Sequence, residues 1–191
     1  MHPTIDIKGE HAAITRILEA MKKMVRDMSK GKFMDSYRIV QIIDFLHTFT
    51  AHCHYEKEEK MLFPALMESN LSWTLDTINH LVNEHKRARV YIQEIDDKFD
   101  EYLSGNAQIV ESLCESITQY VEIEEYHIRI VDNVLLPLCD RIFDKKTLQA
   151  LSAEFKNIQD QTVGSLKYLE YYKLLTMLNV IKDIESERVY Y

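Results

Sequence analysis

Apolar residues recur at alternating intervals of three and four along most of this chain, a spacing that predicts helices. Ile14, Leu18, Met21, Val25 and Met28 define a first helix over 4–30, which Gly31 ends. A second helix is predicted over 35–68. Its stripe steps back from His54 to Thr50, His47, Ile43 and Val40 and forward past Glu58 to Met61 and Ala65, with Pro64 tolerated near its end or at a kink. Turn and cap chemistry at Ser69, Asn70 and Ser72 leads into a third helix over 73–103, with the stripe Ile78, Leu81, His85, Ala88, Ile92, Ile95 and Phe99. The stretch Ser104 to Asn106 breaks it. A fourth helix over 107–139 carries Val110, Leu113, Ile117, Tyr120, Glu124, His127, Val131, Val134 and Leu138.

The remainder predicts a short helix over 145–158, a break at Gly164 and a helix over 166–184 whose Leu174, Leu178 and Ile181 would dock on the rest. The final SERVYY reads as a frayed end. Helices two and four both finish in an LxP signature, LFPAL from Leu62 and LLPLC from Leu135, as duplication of a helix pair would leave. Four long helices with short connections make an all-α, up-down-up-down four-helix bundle over 1–140. Residues 141–191 form a C-terminal helical extension of the same domain.

Polar residues interrupt these stripes in a repeated way. His11, His54, His85 and His127 place one histidine on the apolar seam of every long helix. Any one of them alone reads as a core histidine satisfied by hydrogen bonds; four on four seams are costly to bury unless they share partners. Glu58 follows His54 by four residues on the same face. Glu124 precedes His127 by three, the ExxH spacing with which helical bundles aim both groups inward. His80 lies about 140° from His85 at 100° per residue, where it can pair with Glu84 but reads as a solvated or flanking residue. His47 stands roughly 10 Å along the axis from His54, too far to share its ligands, and reads as a supporting or core residue. The methionines Met21, Met24, Met28 and Met61 read as flexible core filler.

Composition narrows the partners. Only four Gly and three Pro with 28% charged residues suit a helical chain, and a formal charge of −8 without clustered Lys or Arg argues against nucleic acid and anionic membranes. No apolar run approaches the roughly 20 residues of a membrane span, and MHPTIDIKGEH lacks the apolar core of a secretion signal. A cytoplasmic protein is expected. Cys53, Cys114 and Cys139 are three in number and widely spaced, so they read as buried reduced thiols.

Neutral imidazoles combined with carboxylates suit iron first, with manganese or zinc as alternatives, and a carboxylate able to bridge makes a dimetal centre reasonable. With these residues in place the chain resembles the hemerythrin-like HHE cation-binding domains. The resemblance rests on Glu10-His11, on His54-Tyr55-Glu56-Lys57-Glu58 followed by LFPAL, on Glu84-His85 and on YVEIEEYHIRIVDNVLLPL from Tyr120. It covers about Gly9 to Leu138. FKNIQDQTVGSLKYLEYY, from Phe155, is similar to the C-terminal extension of one bacterial and archaeal branch.

The resemblance implies a non-haem di-iron centre with His11, His54, Glu58, His85 and His127 at family ligand positions. Val131 stands where many relatives carry Glu, four residues after the last histidine. Two residues compete to replace that carboxylate. Glu124 is preferred, because its place is usually apolar in the family; Asp132 is second, because it leaves the ideal seam by about 140° and needs a helix bulge to reach the centre. Gln159 and Tyr168 occupy places where relatives often carry Glu and His, and Tyr168 is expected to hydrogen-bond near the centre instead.

The implied function is binding, sensing or reduction of a small oxidant such as dioxygen, peroxide or nitric oxide. Whether it is an enzyme stays open. The alternative is a metal-responsive interaction module or a structural bundle with an incomplete or mononuclear site. Tyr171, Tyr172, Tyr190 and Tyr191 would then offer a protein partner a surface on the C-terminal helix.

Overall fold

A computed structural model of the chain describes residues 2–32, 35–69 and 71–187, with side chains described to 178 in the last helix. Ile181, Tyr190, Tyr191 and the turn residue Asn70 lie outside the described residues or side chains. Among the described residues every regular element is helical. Helix α1 spans Pro3–Met28, with Pro3 at its first turn, where a missing N–H costs nothing. Gly31 adopts φ 70°, and the Gly31 and Lys32 amides bond back to Met28 and Asp27, closing the helix end.

The second long stretch is a series of joined segments: α2 (Ser36–Asp44), π1 (Phe45–His54), α3 (Tyr55–Lys57), π2 (Glu58–Leu62) and α4 (Phe63–Met67). Asp35 caps it by accepting from the Tyr37 amide. The third is one uninterrupted helix, α5 (Ser72–Leu103). A 3₁₀ turn, Ala107–Ile109, opens the fourth, which continues as α6 (Val110–Ile130), π3 (Val131–Leu135) and α7 (Leu136–Ile142). The extension is α8 (Lys145–Thr162), capped by Asp144 on the Thr147 amide, and α9 (Gly164–Glu187), with Gly164 at φ 66° between them.

The π segments account for where the predicted stripes slip. A π turn bonds i to i+5, so it spends one residue more per turn and rotates everything beyond it. On α5, without such a turn, each predicted seam residue from Ile78 to Phe99 is buried. On the second stretch the predicted Val40 is exposed, and Ile39, Ile42, Leu46 and Phe49 are buried in its place. Beyond Glu58 the core takes Leu62 and Leu66 rather than Met61 and Ala65. In the fourth stretch Leu135 is buried and Val134 is exposed.

Two of the π turns have a cause in the sequence. Pro64 and Pro137 each fall two residues beyond a π segment. In a regular helix their rings would meet the carbonyls of Lys60 and Asn133, and those residues lie inside π2 and π3. A wide turn there removes the clash and the need for a proline N–H.

Two apolar clusters sandwich the polar centre. One holds Ile14, Leu18, Met21, Phe45, Ala88, Ile92, Ile117 and Tyr120; the other holds Ile7, Leu62, Phe63, Leu81, Val131 and Leu135. The extension joins both, through Leu151 and Phe155 in the second and Val163, Tyr171 and Leu174 in the first. Tyr171 packs edge-on against Phe45, and its hydroxyl donates to Asp44 Oδ2 at 3.0 Å. Removing such a ring leaves a cavity, so Phe155→Ala should cost about 3–5 kcal/mol in urea unfolding, whereas Leu166→Ala, at an exposed position, should stay within about 0.5 kcal/mol of wild type. Equal values for both would mean that α8 contributes nothing to the stability of the bundle.

Candidate metal centre

His11 on α1, His54 at the end of π1, His85 on α5 and His127 on α6 are all buried, and they converge on Glu58 at the start of π2. Glu58 is itself fully buried. Its Oε1 lies 3.6 Å from His11 Nε2 and 3.8 Å from His54 Nε2. Its Oε2 lies 3.2 Å from His85 Nε2 and 3.0 Å from His127 Nε2. One carboxylate therefore faces two imidazoles with each oxygen. Donor atoms of His11, His54, Glu58 and His127 lie within 4.8 Å of one another and could hold a metal ion; His85 adjoins them, its Nε2 3.3 Å from that of His127.

All four rings turn the same nitrogen inward because the other nitrogen faces a carboxylate. His54 Nδ1 bonds Glu10 Oε2 at 2.9 Å, His85 Nδ1 bonds Glu59 Oε1 at 2.8 Å and His11 Nδ1 bonds Asp132 Oδ1 at 2.7 Å. His127 Nδ1 faces Glu84 Oε2 at 3.6 Å, longer than a hydrogen bond. An ionised carboxylate only accepts, so Nδ1 of the three bonded rings carries the proton and the lone pair of the neutral ring points at Glu58. That is the tautomer a metal needs. The pairing is also cyclic: α1 supplies Glu10 to the second stretch, which supplies Glu59 to α5, which supplies Glu84 to the fourth, which supplies Asp132 back to α1.

Three of these carboxylates have basic side chains behind them. Lys57, almost fully buried, donates to Glu10 and reaches Gln159 Oε1 of α8 at 3.3 Å. Arg89 grips both oxygens of Glu59 at 2.7 and 3.2 Å, and His80 meets Glu84 at 3.2 Å, as its flanking position predicted. Burial alone would raise the Glu58 carboxyl, but its interactions with His127, His54 and His11, His127 Nε2 within hydrogen-bond reach at 3.0 Å, hold it well below the usual range. Burial alone would lower His127, yet the Glu58 charge and hydrogen bond and the Glu84 contact push it up to about 10. Burial likewise opposes the shift of Glu59, which bonds to His85 and Arg89 lower to about 2.

Three buried atoms have no hydrogen-bond partner and face one another across this space: His11 Nε2, His54 Nε2 and Glu58 Oε1. Orphaned buried donors and acceptors cost roughly 1–3 kcal/mol each, and a cation among them would satisfy all three. The donor set therefore fits a metal ion.

The profile of the hemerythrin HHE cation binding domain matches residues 2–139. The chain belongs to the hemerythrin HHE cation-binding family. The match spans all four histidines, Glu58 and the cyclic carboxylates, and ends at Cys139, before α8 begins. No curated protein and no solved structure matches the chain. Membership agrees with metal binding, and no described helix is long and apolar enough to cross a membrane.

The two candidates for the absent carboxylate take different places. The bulge that Asp132 requires is present as π3, and it delivers Asp132 to Nδ1 of His11. Glu124 is buried on the seam and accepts from the Tyr55 hydroxyl, with its Oε2 unpartnered. His47 is half-exposed and pairs with Asp96 at 3.0 Å, because π1 rotates it off the seam. Tyr168 lies half-exposed on a cleft of about 850 Å³ lined from α1, the second stretch, α8 and α9, in which Glu10 but no histidine takes part.

The roles of Glu10, Glu59 and Glu84 escaped the reading by helical spacing. A signal for them existed: each stands next to a seam residue in sequence. At 100° per residue such a neighbour flanks the seam and faces the adjoining helix. That is why Glu10 serves His54 and Glu84 faces His127, not the histidine beside each.

Proposed function

We propose that this chain is a non-haem di-iron protein that binds, senses or reduces a small oxidant such as dioxygen, peroxide or nitric oxide. The observation that carries the reading is the division of Glu58, with one oxygen toward His11 and His54 and the other toward His85 and His127. Two ions sharing that carboxylate would each have two imidazoles, and iron suits this mix of nitrogen and oxygen donors, ahead of manganese or zinc. Bound iron would supply the redox chemistry. The chain supplies the rest: three oriented lone pairs with the His127 ring beside them, a bridging carboxylate and a water-poor wall of Leu62, Phe63, Leu81 and Val131.

In this assignment the ligands are His11, His54, Glu58, His85 and His127. Asp132 orients His11, and Glu124 is held in reserve beside Tyr55. Val131 leaves the fourth stretch without a carboxylate to mirror Glu58, which leaves coordination positions for the oxidant. Residues 141–191 belong to the same domain, since α8 and α9 complete its core, and the unpaired thiols suit a reducing cytoplasmic setting.

A metal-responsive interaction module is the second reading. Supporting it, Glu10, Lys57 and Gln159 link His54 to α8, and Leu166, Leu169 and Tyr172 on α9 are exposed.

Anaerobic loading with ferrous iron, followed by titration with oxygen or peroxide under visible absorption, tests the function. Reversible spectra support binding or sensing, and multiple turnovers of peroxide support an enzyme; absence of bound transition metal overturns both readings. Glu59→Gln, which weakens the hold on His85, should lower metal affinity by roughly 10–100-fold while leaving stoichiometry unchanged at saturation. His80→Ala, at an exposed ring, should leave metal content at the wild-type level, and a loss matching that of His54→Ala would reject the inward assignment.

A further inference from the structure

One buried contact beside the metal-facing nitrogens has no part in orienting a ligand. The Tyr55 ring is fully buried and lies flat on the His85 imidazole, with centroids 3.9 Å apart and planes 13° from parallel. Its hydroxyl donates to Glu124 Oε1. The guanidinium carbon of Arg89 sits 5.0 Å from the ring centroid, and the Arg89 side chain is 35% exposed. Glu124 is buried where an apolar residue would cost less, and its second oxygen has no partner.

A phenol in this setting has both requirements for losing one electron. The stacked imidazole gives the electron a contact path to the centre, and the carboxylate receives the proton that a phenol must shed when oxidised. Tyr120 is equally buried, four residues before Glu124 on the fourth stretch, but its hydroxyl has no carboxylate acceptor. The two tyrosines therefore make a matched pair for comparison.

We propose that Tyr55 is a redox-active tyrosine that gives one electron through His85 to the oxidised metal centre and its hydroxyl proton to Glu124. The inference rests on the reading of the site as a redox-metal centre that meets a small oxidant. In the step the phenolic O–H bond breaks, the proton passes to Glu124 Oε1 and the electron crosses the ring stack, leaving a neutral phenoxyl radical beside a protonated carboxyl group.

The oxidant is a hydroperoxide. Cleaving its O–O bond, to an alcohol and water or, for hydrogen peroxide, to two waters, takes two electrons and two protons. One electron comes from the metal and the other from Tyr55, whose proton is retained on Glu124; solvent supplies the protons consumed. A reductant of the thiol or ascorbate class returns one electron to Tyr55, to which Glu124 gives back the proton, and a second electron to the metal.

The test mixes ferrous-loaded full-length chain with hydrogen peroxide, freezes it within the first turnover and records electron paramagnetic resonance. The expected result is an organic radical whose hyperfine pattern narrows when the chain is made with ring-deuterated tyrosine. Tyr55→Phe, which keeps the stacked ring, should retain bound iron and lose the radical. Tyr120→Phe should keep it, and Glu124→Gln should lower its yield several-fold. A radical that survives Tyr55→Phe, or iron oxidised by peroxide with no tyrosine radical at all, overturns this proposal and leaves the metal reading standing. A chain that binds no redox metal overturns both.

Discussion

Glu58→Ala is expected to lower metal affinity by more than the roughly 100-fold that marks the upper range for loss of an orienting carboxylate. The reason is positional. Glu58 is the carboxylate toward which all four imidazole Nε2 atoms point, at 3.0 to 3.8 Å, and it is fully buried. Alanine removes the proposed shared ligand and leaves the His85 and His127 nitrogens, 3.3 Å apart, without the anion between them and His11. Glu58→Gln separates loss of the ligand from loss of volume, since it fills the same space with a neutral amide. Elemental analysis of protein purified without chelator reads both variants. Metal content equal to wild type in Glu58→Gln would sink the bridging assignment.

Stripping the metal should have the second largest effect. A ligand that binds only the folded state adds about 4.1 kcal/mol when present at a thousand times its dissociation constant. For a chain of this size each kcal/mol moves the melting temperature by roughly 2–4 °C, so loaded and stripped protein should melt about 8–16 °C apart. Glu58→Gln should melt at one temperature with or without metal. Scanning calorimetry before and after chelation makes the comparison, and identical melting of loaded and stripped wild type would show that the centre holds no ion tightly.

The legible parts of the fold were those where helical geometry stays regular. On α5 the apolar spacing located every buried apolar residue and set His85 among them, because no wide turn disturbs the 3.6-residue period. The second and fourth stretches kept His54 and His127 on the seam but shifted their flanks by one residue, and His47 off it, through π1, π2 and π3. Pro64 and Pro137 signalled two of those turns, since each forbids the regular bond in the turn before it. The carboxylates facing the Nδ1 atoms were harder to find. Their partners lie on neighbouring helices, and which helices adjoin is a property of packing that spacing within one helix does not carry.

The circular pairing has a consequence for how the chain comes into being. His11 is the first of the four to leave the ribosome, yet its Asp132 is the last of the orienting carboxylates to follow it. Divide the chain between residues 67 and 72 and each half keeps one oriented histidine, His54 with Glu10 or His127 opposite Glu84, and loses its support for the other. An unfinished or truncated product thus lacks a firm grip on a metal ion, and a loaded centre would mark a chain whose synthesis has passed residue 132 and whose four helices have closed.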